Sequence, residues 1–489
     1  MSLTQKTIRA GLWALVQNGG RQVISTLVFL ALARFFLTKD EFGLVALATL
    51  LITFLNVLVR QGLGTAIIQR REVRDIHLDT AFWANVATAI VLTAGVVAAS
   101  DTLAHLLGDP RVSPILEVLS IGMVITSLSL THEAILSREL QFKSLAIRTL
   151  VASLASAAAG IGFALAGGGL WALVAMQLAA AMSGLLVLWW ASHWRPRLRF
   201  SAGAFRELLP MSASMTGVAI VSALNDLVDQ FVIGRMLGTP SLGVYVVAQK
   251  VVKLLVTVFV QAFSSVALPS FSRLDGDRDR IRNAFLRATR MATFVSFPVF
   301  LGLAVTADLV VPLMFGDGWG EAPVVMSILC LWAVVGSVNY FFAPVLLAAG
   351  RGNEVFMNTL LGAGLLIVFA LLGAEYGVAG VAAGVLLKSV FMMPLWLRQL
   401  RAHVGVTGAM LIGAFGGNLL AASLMALSTL MVRSLLTSGH VVEMSVSLLV
   451  GMAAYAILSM KLSNAAITEC MSLARLAIVK RDAKALQGD

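Results

Sequence analysis

Apolar stretches of about twenty residues, separated by short polar breaks, follow one another along the whole chain, and this alternation constrains the fold more than any motif. About 20 apolar residues are needed for a helix to cross a hydrocarbon core of ~30 Å. A lipid-exposed backbone can satisfy its hydrogen bonds only as a helix or a closed barrel. Windows near 10–36, 42–59, 81–100, 115–136, 145–165, 169–192, 208–233, 243–268, 290–312, 322–347, 355–374, 377–397, 408–431 and 443–460 read as spans. Hydrophobic residues make up 59% of the 489, enough for about fourteen such helices. Charged residues are only 12%, about half the share of a soluble protein. The predicted fold is an all-α integral membrane protein.

The cations fix an orientation. If the N-terminus is cytoplasmic, 27 of the 36 Lys and Arg fall in segments on that side and five (Arg34, Lys39, Arg111, Arg235, Arg433) on the other. The positive-inside bias then places both termini in the cytoplasm. The net charge of +11 does not indicate nucleic acid, because the cations are dispersed between apolar runs and not gathered on one wet face. Ala31-Leu32-Ala33 resembles a leader cleavage site, but Arg21 and Gln22 interrupt the apolar core before it, so a retained first helix is expected. Stretches 268–290 and 462–489 read as amphipathic interfacial helices facing anionic lipid.

Punctuation repeats at an offset of about 200 to 214 residues. Arg34–Gly43 answers Arg235–Gly243. Gly108-Asp109 with Pro114 answers Gly316-Asp317 with Pro323. Ser137-Arg138 with Phe142 answers Gly350-Arg351 with Phe356, and Gly168-Gly169 answers Gly377. Each copy would hold six spans, an even number, which implies a pseudo-two-fold along the membrane normal and a central cavity between two lobes. The division expected is an N-lobe at 1–193, a cytoplasmic linker at 194–209, a C-lobe at 210–403, two further spans at 404–461 and a tail at 462–489.

Charge at membrane depth is costly and marks function by default. The intramembrane cations are Arg21, Lys250, Lys253 and Lys388, and Asn18, Arg21 and Ser25 form one stripe on the first helix. Arg21 and Lys388 have no carboxylate within a turn of the same helix, which points to substrate contact. The anions are Asp226, Asp229, Glu133 and Asp308. Asp226/Asp229 and Lys250/Lys253 fall at similar depth, so they can be a structural ion pair or a site where cations take a phosphate and carboxylates a coupling proton or cation. His132-Glu133 reads as an interfacial polar pair with a proton relay as the alternative. Cys330 and Cys470 indicate neither a disulfide scaffold nor a metal site, the histidines lack i, i+4 spacing, and no Walker A or Gly-x-Ser-x-Gly run is present. No cofactor is expected.

The blocks Val232-Ile-Gly-Arg235, Leu242-Gly-Val-Tyr-Val-Val-Ala-Gln249, Leu268-Pro-Ser-Phe-Ser-Arg273 and Leu136-Ser-Arg-Glu-Leu-Gln-Phe-Lys143 resemble the polysaccharide transporter (Wzx-type flippase) family. This family belongs to the multidrug/oligosaccharidyl-lipid/polysaccharide exporter superfamily, and the likeness is to its exopolysaccharide and colanic-acid branch, over about residues 1–460. The resemblance implies fourteen helices and passage of an undecaprenyl-pyrophosphate-linked oligosaccharide from the inner to the outer leaflet of the bacterial plasma membrane. Asp226, Asp229 and Asp308 point to H⁺ or Na⁺ as coupling ion, and a polysaccharide polymerase or co-polymerase is the expected partner. The related lipid II flippases carry cavity arginines on the first, second and eighth helices, where this chain has Arg21, Arg60 at the inner end of its helix, and Lys250/Lys253. The rival readings are a drug/cation antiporter, which needs an anionic or aromatic cavity, a membrane polymerase or ligase, which needs a sizeable outer loop, and a scaffold.

Overall fold

The computed structural model describes residues 20–60, 62–261, 277–435, 440–463 and 468, and every regular element among them is helical. Thirteen of these helical runs are long and apolar enough to cross a membrane, and residues 20–35 form a further helix where the first span is expected. The expected interfacial segments 268–276 and 469–489 lie outside the described residues. The chain forms two compact units, Met1–Val246 and Val247–Asp489.

The first unit contains α1 (20–35), α2 (Lys39–Arg60), α3 (Leu63–Gln69), α4 (Asp75–Ala98), α5 (Ser100–Leu107), α6 (Ser113–Arg138), α7 (Phe142–Leu165), α8 (Trp171–Ala191), α9 (Ala202–Leu237) and the start of α10 (Thr239–Val256). Thr38 and Glu41 start α2 with a reciprocal cap: the Thr38 N–H donates to Glu41 Oε2 at 2.8 Å and the Glu41 N–H to Thr38 Oγ1 at 3.3 Å. α9 begins at Ala202, within the stretch read as a linker, because the Ser201 hydroxyl caps the Ala204 N–H at 3.3 Å. The repeated punctuation has a common backbone cause. Gly108 and Gly316 have φ of 101° and 87°, each followed by a short 3-10 turn. Gly169 and Gly377 have φ of 52° and 76°; Gly350 has 75°, and in the first copy the left-handed residue is Leu140 at 57°, three residues beyond Ser137. Left-handed residues end these helices, and glycine reaches that region without a Cβ clash.

At one end of this unit the starts of α2 and α10 cross at backbone contact. A Cβ on Gly43 would sit 1.7 Å from the Thr239 carbonyl oxygen, and one on Gly243 1.8 Å from that of Lys39. Lys39 and Gly43 answer Thr239 and Gly243 in the repeat, so equivalent residues of the two copies meet each other. Arg111 ties the crossing, donating to Asp40 at 2.7 Å and to Asp109 at 2.7 Å, while the Thr239 hydroxyl donates to Asp40. Hydrogen bonds from Arg111 hold the Asp109 carboxyl below the ordinary carboxylate range against the opposing effect of burial. A carboxyl depressed in the fold stabilises it above the unfolded pKa and loses that contribution as pH falls through the folded value. Thermal unfolding followed against pH is therefore expected to show an acid limb below about pH 4, set by the unfolded aspartate. That limb shrinks in Arg111→Ala.

At the opposite end, Arg138 closes α3. Its guanidinium donates to the carbonyls of Ile67 at 2.7 Å and Arg71 at 2.9 Å, and to that of Arg70. These carbonyls are left without helical partners where α3 stops. Arg138→Ala is expected to cost about 2 kcal/mol, within the range for hydrogen bonds to charged groups, read as a fall of several degrees in detergent-solubilised melting. Arg138→Lys recovers little, since an ammonium cannot reach several carbonyls in one plane.

The second unit holds the end of α10 and then α11 (Arg278–Phe315), α12 (Ala322–Asn339), α13 (Phe342–Ala348), α14 (Gly352–Ala374), α15 (Gly377–Val404), α16 (Gly408–Leu435) and α17 (His440–Leu462). Residues 278–290 form the first turns of α11, capped by Asp277, and so continue the spanning helix instead of forming a separate interfacial one. α11 has 38 residues, roughly 57 Å at 1.5 Å per residue, so it stands well clear of a ~30 Å hydrocarbon core. α14 and α15 pack through glycine, where a Cβ on Gly380 would meet the Gly373 carbonyl oxygen at 2.1 Å. Pro298 cannot donate to the Phe294 carbonyl one turn back, and the Tyr455 hydroxyl of α17 donates to it at 2.6 Å. Asn418 of α16 adds a bond to the Arg290 carbonyl at 2.9 Å. The last two spans, which have no counterpart in the repeat, are thus fastened to α11.

Candidate functional site

Small side chains hollow out the first unit. α7 runs Ala152, Ser153, Ser156, Ala157 and α8 runs Ala180, Ala181, Gly184 along facing stripes, and these line a cavity of about 500 Å³. That volume is in the range of small-molecule sites. α1 contributes Arg21, Ser25 and Val28 at i, i+4, i+7, and α6 contributes Thr126, Ser129 and Glu133 at i, i+3, i+7. Arg60 closes α2, and Arg148 enters from the second turn of α7.

The charges gather toward one end. Arg60 is the last residue of α2, Glu133 lies five residues before the end of α6, and Arg148 six after the start of α7, which is within about 10 Å of the helix ends. This is the end opposite the glycine crossing of α2 and α10. Among the described lining residues, three guanidinium groups face one carboxylate, a net of two positive charges. Arg148 pairs with Glu133, its Nη1 3.0 Å from Oε1. Planar guanidinium forks match phosphate oxygens two at a time, and hydroxyls from Ser25, Thr126, Ser129, Thr149, Ser153 and Ser156 line the remaining wall. The arrangement can hold an anion with a polar appendage.

Of the residues singled out by sequence, this cavity takes in Arg21 and Ser25 of the α1 stripe and the anion Glu133. Asn18 lies outside the described residues. Lys250, half-buried, and Lys253, exposed, sit on α10 in the second unit, and Lys388, half-buried, sits on α15. Asp226 is exposed on α9, and Asp229 is buried and accepts from the Tyr245 hydroxyl at 2.6 Å. Asp308 pairs with Arg433, whose Nε donates to Glu443 at 3.0 Å. His132 is fully buried, its ring 5.1 Å from that of Trp189 and 5.2 Å from that of Trp194. Sequence reasoning had Arg60 only through the family resemblance, at the inner end of its helix, and missed Arg148, because both stand beside polar breaks, where hydropathy assigns them to the water boundary. The one available signal was the Ser/Ala-rich face of α7 on which Arg148 begins.

Residues 31–324, more than half of the chain, match the family described as "Polysaccharide biosynthesis protein". The lipopolysaccharide biosynthesis protein WzxC of Escherichia coli K12 is 26% identical over 397 residues, 80% of each chain. The succinoglycan biosynthesis transport protein ExoT of Rhizobium meliloti is 27% identical over 387 residues, 79% of this chain and 76% of that one. In fold, the chain superposes on the lipid II flippase MurJ in an inward closed conformation with a TM-score of 0.80 at 15% identity, covering 93% of this chain and 99% of that one. A multidrug resistance MATE family transporter of the MOP superfamily gives 0.63 at 16% identity, covering 81% and 94%. The fourteen-span reading, the all-helical structure with its hollow first unit and the match over residues 31–324 agree: the chain is a multi-pass membrane protein with the MurJ/MATE fold, and it belongs to the polysaccharide biosynthesis protein family.

Proposed function

We propose that the protein is a flippase that carries an undecaprenyl-pyrophosphate-linked oligosaccharide from the inner to the outer leaflet of the bacterial plasma membrane, for assembly of exopolysaccharide or lipopolysaccharide. The observation that carries this reading is the cationic cavity of Arg21, Arg60 and Arg148. A diphosphate needs cations at membrane depth, while a prenyl chain can remain in lipid. The names of WzxC and ExoT point the same way. With both termini cytoplasmic by the positive-inside bias, the charged end of the cavity lies toward the inner leaflet and the glycine crossing of α2 and α10 toward the outer one. Alternating access between the two copies of the repeat then presents the diphosphate to each leaflet in turn, and Lys250, Lys253 and Lys388 are the cations of the second unit to test for cargo contact. A cationic drug would be repelled by the cavity's net positive charge, which disfavours an antiporter.

The coupling ion, H⁺ or Na⁺, is assigned to carboxylates at Asp226, Asp229 or Asp308, and a polymerase or co-polymerase is the downstream partner. Asp226 is the first to test, since Asp229 and Asp308 are engaged by Tyr245 and Arg433. The deciding experiment places purified protein in proteoliposomes with a fluorescent undecaprenyl-pyrophosphoryl oligosaccharide and scores the label that changes leaflet. Protein-dependent movement, unaffected by a cationic drug, is expected. Efflux of the drug without movement of the lipid would overturn the reading in favour of the antiporter.

A further inference from the structure

A carboxylate is out of place in a cavity whose other charges are three guanidinium groups, yet Glu133 is one of the lining residues. Its surroundings are half-complete. Oε1 takes the Arg148 guanidinium at 3.0 Å, and Oε2 is buried with no hydrogen-bond donor among the described residues. An ionised carboxylate that served only to brace α6 against α7 would have donors on both oxygens, as buried polar groups generally do. Neither side chain is locked away: Arg148 keeps 25% of its surface and Glu133 31%, and both border the void. Among the described residues, the remaining charged groups facing that void are Arg21 and Arg60.

We propose that Glu133 is a displaceable counter-anion. It occupies Arg148 while the cavity is empty, yields it to a diphosphate oxygen when cargo enters, and reclaims it so that cargo leaves. The inference rests on the flippase reading and adds a positioning residue to it. The charge balance supplies the reason. An empty cavity holds two net positive charges, and a cavity with Glu133 set aside offers all three guanidinium groups to the anion. Three permanently open arginines would bind a diphosphate too firmly for turnover, whereas transport requires a site that fills and also empties.

The test measures binding of farnesyl diphosphate to the purified full-length protein in detergent, together with flipping in proteoliposomes. Glu133→Gln is expected to bind the probe roughly tenfold more tightly and to flip more slowly, because the competitor is gone. Glu133→Asp keeps the charge and is expected to remain near wild type. Arg148→Gln is expected to weaken binding more in the Glu133→Gln background than in the wild type, since a double-mutant cycle reads the coupling directly. Equal affinity for wild type and Glu133→Gln, or equal cost of Arg148→Gln in both backgrounds, overturns the proposal. Difference infrared spectra of wild-type protein with and without the probe give a check independent of variant folding. A carboxylate band that shifts on binding supports exchange, and an unchanged band refutes it. Failure of the wild type to bind the probe at all would strike the cationic-cavity reading itself, and that outcome is visible before any Glu133 variant is made.

Discussion

Arg21→Ala is expected to fold and reach the membrane at normal levels while moving lipid-linked oligosaccharide at least about thirtyfold more slowly. Arg21 is exposed to the cavity from α1, so its removal opens no hole in packed structure. The loss falls on the anion instead. Truncating one partner of a hydrogen-bonded charge pair costs about 2–5 kcal/mol, and the lower figure is already about thirtyfold. Arg21→Lys should recover part of the rate, because an ammonium supplies the charge without the planar fork. Flipping by Arg21→Ala at more than half the wild-type rate, at equal protein in the vesicle, would remove this residue from the site.

The second large effect concerns folding. Gly43→Ala and Gly243→Ala each place a methyl less than 2 Å from a backbone carbonyl oxygen. Neither neighbour is a side-chain tip that can swing aside, so α2 and α10 must separate and the Asp40, Asp109, Arg111 and Thr239 cluster must stretch with them. Overpacking of this kind costs about 1–3 kcal/mol where neighbours adjust, and more where they are backbone. The monodisperse fraction after solubilisation is expected to fall severalfold for either variant. Gly364→Ala is the control, because a Cβ there meets nothing within 4 Å. Equal yields for all three variants would show that the crossing is looser than described.

The spans were legible because lipid imposes one solution on a long apolar run: α14 matches its expected bounds within three residues, and α15 starts where expected and runs seven residues further. The repeat was legible in part through its glycines: Gly108 and Gly316, and Gly169 and Gly377, have positive φ in both copies. The site was readable only in part. Arg21 stands out because apolar residues surround it in the chain. Arg60, Glu133 and Arg148 lie close to helix ends, where sequence offers the same pattern for a snorkelling surface arginine and for one turned into a void. Only the packing of α1, α2, α6, α7 and α8 distinguishes the two. Asp308 illustrates the converse: its partner Arg433 is 125 residues away, beyond the reach of any local spacing rule.

Pro298 and Tyr455 have a mechanical consequence. A proline inside a helix of this length is a joint, since the turn before it lacks one hydrogen bond. In α11 the missing bond is made by a hydroxyl that belongs to another helix, so the joint is splinted from outside. The stiffness of α11 is therefore set by α17, and the two spans that stand outside the repeat govern how far its longest helix can bend.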